Sequence, residues 1–258
     1  MRSRPGEVSP MPVQELDHNE ARLAAAGGVG KRAYVRRIFS EIAPRYDLLN
    51  RILSLNVDRW WRSRAIRALA WERAPDGVYV DLCAGTLDVG AELARQPRFA
   101  GIVVGADFAE PMLRAGIGKA PRHSLAPVAA DVLAVPIADG RAAGAIVAFG
   151  VRNLADLDAG LREALRLLRP GGRFVVLEFS TPRSLPVRAL YNFYFRRILP
   201  LVGRVLSGHR TAYSYLPDSV AHFPDPPQLA RRMEDAGFRN VQWRSLTLGI
   251  AAVHWGER

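Results

Sequence analysis

The segment Val78–Asp88 constrains the fold of this chain more than any other stretch. An apolar, β-branched run from Val78 to Leu82 is typical of a buried strand. It gives way to Ala84-Gly85-Thr86, and a helical pattern begins at Asp88. Side chains this small allow a ligand to lie against the backbone, and the N–H groups at the start of a helix can bind it. Asp81 to Asp88 is therefore predicted to form the floor of a nucleotide-like cofactor pocket in an α/β protein, with an ordinary tight turn as the alternative.

Strand and helix patterns alternate beyond this segment, which predicts a parallel sheet with helices on both faces. The predicted strands are Val78–Leu82, Ile102–Ala106, a short one near Pro127–Ala130, Gly144–Phe149 and Arg173–Phe179. The helices predicted between them are Asp88–Arg95, Glu110–Lys119 and Asp156–Leu168. A turn at 169–172 is expected to lead into the fifth strand, because it contains Pro-Gly-Gly.

The remaining segments are predicted to flank this core. Residues 1–30 have no hydrophobic period and are predicted to be a disordered tail, so one domain is expected to span 31–258. Within it, 31–75 is a predicted helical cap, and 184–223, rich in aromatic residues and arginine, is a predicted helical insertion. The chain is expected to close with a helix near Pro227–Ala236 and a hairpin of two strands, Phe238–Leu246 and Leu248–Trp255.

The net charge of +11 favours an anionic partner, either nucleic acid or an acidic lipid surface, although an arginine-rich composition alone would also produce it. Arginines alternate with large apolar residues in Arg59–Arg64 and Tyr194–Leu199, a pattern suited to the boundary between water and lipid headgroups. No nucleic-acid-binding module is recognisable, so no nucleic-acid partner is expected. With no secretory signal and one cysteine, Cys83, the chain is expected to be cytoplasmic, with peripheral contact at the inner face of the plasma membrane.

Acidic residues stand at the ends of three successive predicted strands. They are Asp81 or Asp88, Asp107 and Asp131. A carboxylate at Asp107 can accept both hydroxyls of a ribose, and one at Asp131, with the Val132 backbone alongside, can take an adenine amino group. The turn offers only Gly85 of the G-x-G-x-x-G fingerprint, which argues against a nicotinamide dehydrogenase. Because acids also favour a cationic sulfonium, the predicted cofactor is S-adenosylmethionine.

Several further segments carry specific patterns. They are Tyr46–Ser54 with Trp60-Trp61, Phe149–Asn153, Arg166–Phe174 continuing to Leu177–Ser180, Tyr215–Ser219, Ala236–Phe238 and Gly249–His254. Through them the chain, from about Val35 to its C-terminus, resembles the class I methyltransferases that methylate a ring carbon of demethylmenaquinol or of the ubiquinone precursor. A generic methyltransferase would share the glycine turn and Pro170-Gly171-Gly172, but not the whole set.

The resemblance implies a Rossmann-like α/β fold with a mostly parallel seven-stranded sheet, a C-terminal antiparallel hairpin, an N-terminal helical cap and a helical insertion before the last helix. It implies S-adenosylmethionine as cofactor and a polyprenyl quinol as substrate, most closely demethylmenaquinol. A homodimer is left open. The expected cofactor-binding residues are Asp81, Ala84, Gly85, Thr86, Asp107, Phe108, Asp131, Val132 and Phe149.

Three positions depart from the family pattern. Leu87 replaces the second glycine of Gly-Thr-Gly-Asp, so the backbone there is expected to be right-handed helical or extended, with less space for the methionine end of the cofactor. Asp58 stands in place of a histidine. Ala148 stands where a serine often precedes Phe-Gly, which removes one hydrogen bond to the cofactor.

Methylation of a quinol ring needs an electron-rich carbon, which loss of the phenolic proton provides. Arg152 and Asn153, after the fourth predicted strand, are the candidates for stabilising the phenolate. Arg152 stays protonated and cannot be the base, so Tyr46, Asp47 or a water chain is the predicted proton acceptor. No cluster of His, Cys or Asp residues has metal-ligand spacing, and no metal is expected.

Three alternatives remain from the sequence. The acceptor could be the benzoquinol of the ubiquinone pathway rather than a naphthoquinol. It could belong to another class, including nucleic acid, given the positive charge. The chain could also be a non-catalytic binding protein of the same fold, an idea prompted by Leu87. Binding of S-adenosylmethionine separates this last alternative from the others.

Overall fold

The computed structural model of the protein describes residues 20–21, 23–25, 27, 30–198 and 212–258. A seven-stranded sheet in the order β3-β2-β1-β4-β5-β7-β6 forms its centre. The strands are β1 (Val78–Leu82), β2 (Ile102–Asp107), β3 (Leu125–Ala129), β4 (Ala142–Ala148), β5 (Leu168–Phe179), β6 (Arg239–Leu246) and β7 (Ala251–Glu257). Strands β1 to β5 are parallel, and β7 is antiparallel to both neighbours. The predicted fold class, with its C-terminal hairpin, is confirmed.

Helices cover both faces of the sheet and its carboxyl edge. They are α1 (Lys31–Ile42), α2 (Tyr46–Ser54), α3 (Val57–Leu69), α4 (Asp88–Ala94), α5 (Glu110–Gly116), α6 (Leu157–Leu167), α7 (Leu185–Phe193), α8 (Ala212–Ala221) and α9 (Pro226–Asp235). A π-helix, Tyr194–Ile198, continues α7. Among the described residues, none of the helices combines the length and apolarity needed to cross a membrane.

The strand order reverses between β1 and β4, so the loops after these strands diverge and leave a crevice at the carboxyl edge. Two apolar clusters hold the sheet from opposite faces. One includes Trp61, Tyr79 and Leu87, and the other includes Leu82, Leu161 and Phe174. The cap and the insertion pack on each other through Leu49, Tyr191 and Phe195. The crevice therefore lies between a rigid sheet edge and a helical cover.

Several boundaries differ from the sequence-based prediction. Strand β5 begins at Leu168 rather than Arg173, because Leu168 pairs with Ala142 and the predicted turn becomes a register shift within the strand. Helix α5 ends at Gly116, three residues before the predicted end. In the predicted tail, residues 20, 21 and 23–25 are helical, and Ala21 packs with α1. Residues 1–19, 22, 26, 28 and 29 of that tail and residues 199–211 of the predicted insertion lie outside the described residues.

Candidate active site

The loop after β1 follows an unusual backbone path. Cys83, Gly85 and Leu87 have φ angles of 54°, 52° and 64°, so left-handed residues alternate with others over five positions. Such conformations cost free energy for residues other than glycine and are concentrated at functional sites. The expectation of a right-handed or extended Leu87 is therefore wrong. The backbone must turn sharply at Leu87 to begin α4, whatever its side chain.

The side chain of Leu87 is 1% exposed and lies in the core beside β2 and α5. A Cβ atom on Gly105 would stand 2.4 Å from Leu87 Cδ2, and one on Gly116 would stand 2.9 Å from Leu87 Cγ. These two glycines make the space that the leucine fills. The predicted narrowing of the cofactor space is wrong, because the side chain points into the core.

The three predicted acids meet at the carboxyl edge, but each is already engaged. Asp107 accepts hydrogen bonds from the Gly85 N–H (2.9 Å) and the Ala109 N–H (2.8 Å), which fixes the loop after β1 against the end of β2. Asp131 accepts the Leu133 N–H and pairs with the Arg32 guanidinium of α1 at 2.8 Å. Each carboxylate keeps further lone pairs for a ligand.

Asp81 lies behind the loop and not on it. It is buried, and it accepts the Gly90 N–H of α4 at 2.9 Å. Burial raises the pKa of its carboxyl to about 7. The Gly90 hydrogen bond acts to lower that pKa, and the charges of Asp107 and Asp88 act to raise it. Burial also raises the pKa of the Asp107 carboxyl. Both buried carboxyls lie where a positively charged ligand would favour their ionised form.

The raised pKa of Asp81 predicts a specific pH dependence of stability. Between about pH 4 and pH 7 the folded chain keeps a proton that the unfolded chain releases, so the free energy of unfolding falls as the pH rises. Asp81→Asn retains the acceptor for Gly90 and removes the titration. We expect the variant to match the natural chain near pH 4 and to exceed it by up to about 4 kcal/mol above pH 7. Urea unfolding at pH 4–8 measures this difference, and parallel curves would contradict it.

A chain of charged groups links the cap to the loop after β1. Asp47 of α2 accepts the Thr86 hydroxyl at 2.6 Å and the Lys119 ammonium at 2.5 Å. Lys119 also bonds to Asp88 at 2.6 Å, and Asp88 in turn pairs with Arg62 of α3 at 3.2 Å. These contacts make Asp47 and Thr86 part of one network and place α2 directly over the loop.

Asp58, which departs from the family pattern, belongs to the same network. It accepts the Ser54 hydroxyl at 2.6 Å and pairs with Arg62 at 2.9 Å. The carboxylate therefore closes the end of α2 and fixes Arg62 against Asp88. A histidine could not supply the same fixed negative charge.

Arg152 is 8% exposed and is held by Glu178 of β5. Its Nη1 donates to Glu178 Oε1 at 2.7 Å and to the Phe149 carbonyl, and its guanidinium stands 5.5 Å from the centre of the Phe179 ring. The Lys31 ammonium of α1 donates to the Arg152 carbonyl at 2.7 Å. Burial, followed by the charge of Arg152, lowers the pKa of Lys31. The buried centre thus contains two basic groups and one carboxylate.

Asn153, the neighbour of Arg152, is buried and accepts the Tyr215 hydroxyl of α8 at 3.1 Å. Tyr46 packs against Phe39, and burial raises the pKa of its phenol, so the hydroxyl stays protonated at neutral pH. Asn153 is thus fixed by the insertion, while a hydrogen bond from the Asn50 side chain opposes the effect of burial on the pKa of the Tyr46 phenol.

The predicted apolar cofactor residues divide into two groups. Phe108 packs on the cluster of α1 and α8, and Val132 is buried beneath the sheet edge. Phe149 lies 4.7 Å from Phe179 and 5.9 Å from Trp61, measured between ring centres. Phe149 thus belongs to an aromatic wall beside Arg152, while Phe108 belongs to a separate apolar cluster.

Several residues that the structure places in the candidate site were missed from the sequence. They are Lys31, Arg32, Arg62, Lys119, Glu178 and Tyr215. One signal was available, because lysine occurs only at positions 31 and 119 in a chain rich in arginine, and both lysines lie in this site. A second was the single acid within the apolar run of β5.

The residues at the carboxyl edge of the sheet fit S-adenosylmethionine. Asp107 and Asp131 supply acceptors at adjoining strand ends, as a ribose and an adenine amino group require. A Cβ atom on Gly85 would meet only the end of Met112, at 3.4 Å, so the loop has an open side. The excess of buried acids suits a sulfonium and an ammonium group.

The chain is similar in sequence to known methyltransferases over most of its length. The ubiE/COQ5 methyltransferase family matches residues 28–258. The demethylmenaquinone methyltransferase of Thermus thermophilus is 48% identical over 223 residues, which are 86% of this chain and 100% of that protein. The ubiquinone/menaquinone biosynthesis C-methyltransferase UbiE of Geobacter sulfurreducens is 43% identical over 228 residues, 87% of this chain and 88% of that protein.

Among solved structures, a methyltransferase of Thermotoga maritima, described as S-adenosylmethionine-dependent, shares the fold. The TM-score is 0.60 at 16% identity, over 86% of this chain and 98% of that one. The family match covers nearly the whole domain, including every site residue discussed above. The chain therefore belongs to the ubiE/COQ5 methyltransferase family and is an S-adenosylmethionine-dependent methyltransferase.

Proposed function

We propose that this enzyme methylates a ring carbon of a polyprenyl quinol, converting demethylmenaquinol to menaquinol. The observation that carries the proposal is Arg152, a buried cation fixed by Glu178 and placed over Phe179 in an aromatic wall. A flat aromatic ring with an ionisable hydroxyl matches an aromatic wall that carries a guanidinium. The name of the Thermus relative supports the naphthoquinol, and the UbiE relatives make the ubiquinone-pathway benzoquinol the second candidate.

The reaction asks three things of the chain's own residues. S-adenosylmethionine, when bound, supplies an electrophilic methyl group. Asp107, Asp131 and the loop at Gly85, which are fixed by their own hydrogen bonds, would hold it at the sheet edge. The charge of Arg152 favours the phenolate form of the quinol, which places electron density on the neighbouring ring carbon. That carbon takes the methyl group and then loses its proton.

The environments of Tyr46 and Asp47 distinguish between them as the proton acceptor. Burial raises the pKa of the Tyr46 phenol, so Tyr46 is a hydrogen-bond donor at neutral pH and not a base. Asp47 is partly exposed and is held by Thr86 and Lys119. We assign Asp47 the role of taking the phenolic proton of the quinol, or of orienting the water that takes it.

The test is expression of the chain in cells that lack their own quinone methylase, followed by mass analysis of their quinones. We expect methylated menaquinone, and purified protein given S-adenosylmethionine is expected to prefer demethylmenaquinol over the benzoquinol precursor. Only demethylated quinones in those cells, with the protein present and folded, would refute the assignment.

We further propose that the enzyme reaches its lipid substrate by docking on an anionic membrane, at the inner face of the plasma membrane. Large apolar side chains are exposed on α2, on α3, on α7 and in the turn between α2 and α3, and α2 packs on α7. They are Leu48, Ile52, Leu55, Trp60, Leu185, Leu190 and Phe193. Arg51 and Arg188 are exposed on the same helices, and the Arg64 guanidinium stands 5.0 Å from the Trp60 ring centre. Apolar anchors mixed with arginine are typical of membrane-surface binding.

This docking surface predicts the effect of one substitution. Phe193→Asp is expected to weaken binding to vesicles that contain anionic lipid roughly 10-fold, because it removes an apolar anchor and adds a repelled charge. Ile117→Asp is the matched control: Ile117 is equally exposed but follows α5 at the opposite edge of the sheet. Vesicle co-sedimentation measures both variants. Equal losses for the two would contradict the proposed surface.

A further inference from the structure

Two buried polar groups beside Phe179 have no hydrogen-bond partner among the described residues. They are the hydroxyl of Tyr191, on α7, and the Nε of Arg152. Tyr191 is 7% exposed and Arg152 is 8% exposed, so water does not satisfy either group from the surface. An unpaired buried donor lowers the stability of the folded chain, and two such groups beside one aromatic cluster call for a ligand.

A row of aromatic rings links the two groups. Tyr191 stacks on Phe195 at 4.1 Å between ring centres, and Phe195 lies 5.8 Å from Phe179. The guanidinium of Arg152 stands over that same Phe179 ring. The charges of Arg152 and Glu178 both act on the Tyr191 phenol, and burial raises its pKa, so the hydroxyl keeps its proton. Both groups are therefore available as donors.

The ion pair uses one side of the Arg152 guanidinium and leaves the other free. Nη1 is committed to Glu178 and to the Phe149 carbonyl. Glu178 Oε1 also accepts the Phe179 N–H at 2.9 Å, so the carboxylate is fixed by the backbone of β5. Nε therefore keeps a set direction, as a pre-organised donor must.

We infer that the Tyr191 hydroxyl and the Arg152 Nε–H together bind one oxygen of the acceptor, a phenol-type hydroxyl that reacts as its phenolate. The inference deepens the proposed function and rests on it, because it names the substrate group that this wall recognises. Tyr191 donates to the oxygen and becomes a second stabiliser of its negative charge. Its place on the insertion couples recognition of the ring to the seating of α7 on α2.

The first test compares Tyr191→Phe with Tyr194→Phe. Tyr194 is the matched control, because its hydroxyl already donates to the Leu53 carbonyl at 2.5 Å. Loss of an unpartnered hydroxyl leaves the urea unfolding midpoint unchanged or higher, whereas loss of the Tyr194 hydroxyl lowers it. We expect kcat/KM for the quinol to fall about 10- to 100-fold in Tyr191→Phe and less than 5-fold in Tyr194→Phe.

The second test measures the ionisation of a hydroxyl bound at this position and needs no methyl transfer. 1-Naphthol, whose absorbance changes when it ionises, is titrated while bound to the protein. The bound naphthol is expected to ionise at a lower pH than free naphthol, and Tyr191→Phe is expected to move that pKa back by about one unit or more. Tyr194→Phe is expected to leave it unchanged.

The outcomes separate the inference from the proposed function. If the natural chain fails to methylate a quinol but naphthol ionises as expected, the proposed function fails and the oxygen site stands. If the natural chain methylates quinol and Tyr191→Phe matches it in rate and in naphthol pKa, the inference is overturned alone. A lower unfolding midpoint for Tyr191→Phe would also overturn it, because the hydroxyl would then have a partner within the protein.

Discussion

Replacing Arg152 by glutamine is expected to lower the methylation rate by about 100- to 1000-fold and the free energy of unfolding by about 3–5 kcal/mol. The rate falls because the phenolate loses its fixed positive charge. The stability falls for a different reason: Glu178, almost fully buried, keeps its charge and loses the cation that balances it. The two losses have separate causes and can be measured apart.

The double variant Arg152→Gln with Glu178→Gln separates them. It removes both charges, so most of the stability is expected to return, while the rate stays low. Arg232→Gln is the control for loss of an arginine, since Arg232 pairs with Asp158 at 2.9 Å on the surface and such pairs contribute up to about 1 kcal/mol. Urea unfolding and a methylation assay are run on the natural chain, Arg152→Gln, the double variant and Arg232→Gln. A double variant as unstable as Arg152→Gln would mean that the pair is not the source of the stability loss.

The sequence predicted the sheet well because its strands carry local signals. Each of β1, β2 and β4 is an apolar run that ends at a turn, and such runs report their own conformation. The alternation with helices predicted a parallel sheet, in which the strands run in the same direction. The acids at the ends of β1 and β2 therefore had to meet at one edge, and Asp81 and Asp107 do.

The partners within the site could not be predicted in the same way. Lys31 binds the carbonyl of Arg152, 121 residues later, and Tyr215 binds Asn153 from the insertion. Such contacts depend on how the cap and the insertion settle on the sheet, and no local period records that. The interpretation of Asp131 as a free acceptor missed Arg32 for the same reason. The composition does carry one signal for the site, because the only two lysines of the sequence both lie in it.

Leu87 shows the limit of reasoning from a residue's conformational preference alone. The sequence argument excluded a left-handed backbone because leucine has a Cβ atom, and the structure has φ 64° there. The fold accepts that cost because the leucine fills the space beside Gly105 and Gly116. Packing and backbone preference therefore act in opposite directions at this residue, and substitutions can separate the two contributions.

Leu87→Ala is expected to lower the free energy of unfolding by about 2–5 kcal/mol, because it empties a fully buried site and keeps the left-handed Cβ. Leu87→Gly removes the same side chain but relieves the backbone, so it is expected to be about 1 kcal/mol more stable than Leu87→Ala. Leu93, equally buried within α4, is the matched control, and there glycine is expected to be about 1 kcal/mol less stable than alanine. The sign of the difference in unfolding free energy between the glycine and alanine variants thus shows whether the backbone at that position is left-handed. The same order at both positions in urea unfolding would mean that Leu87 is not left-handed in solution.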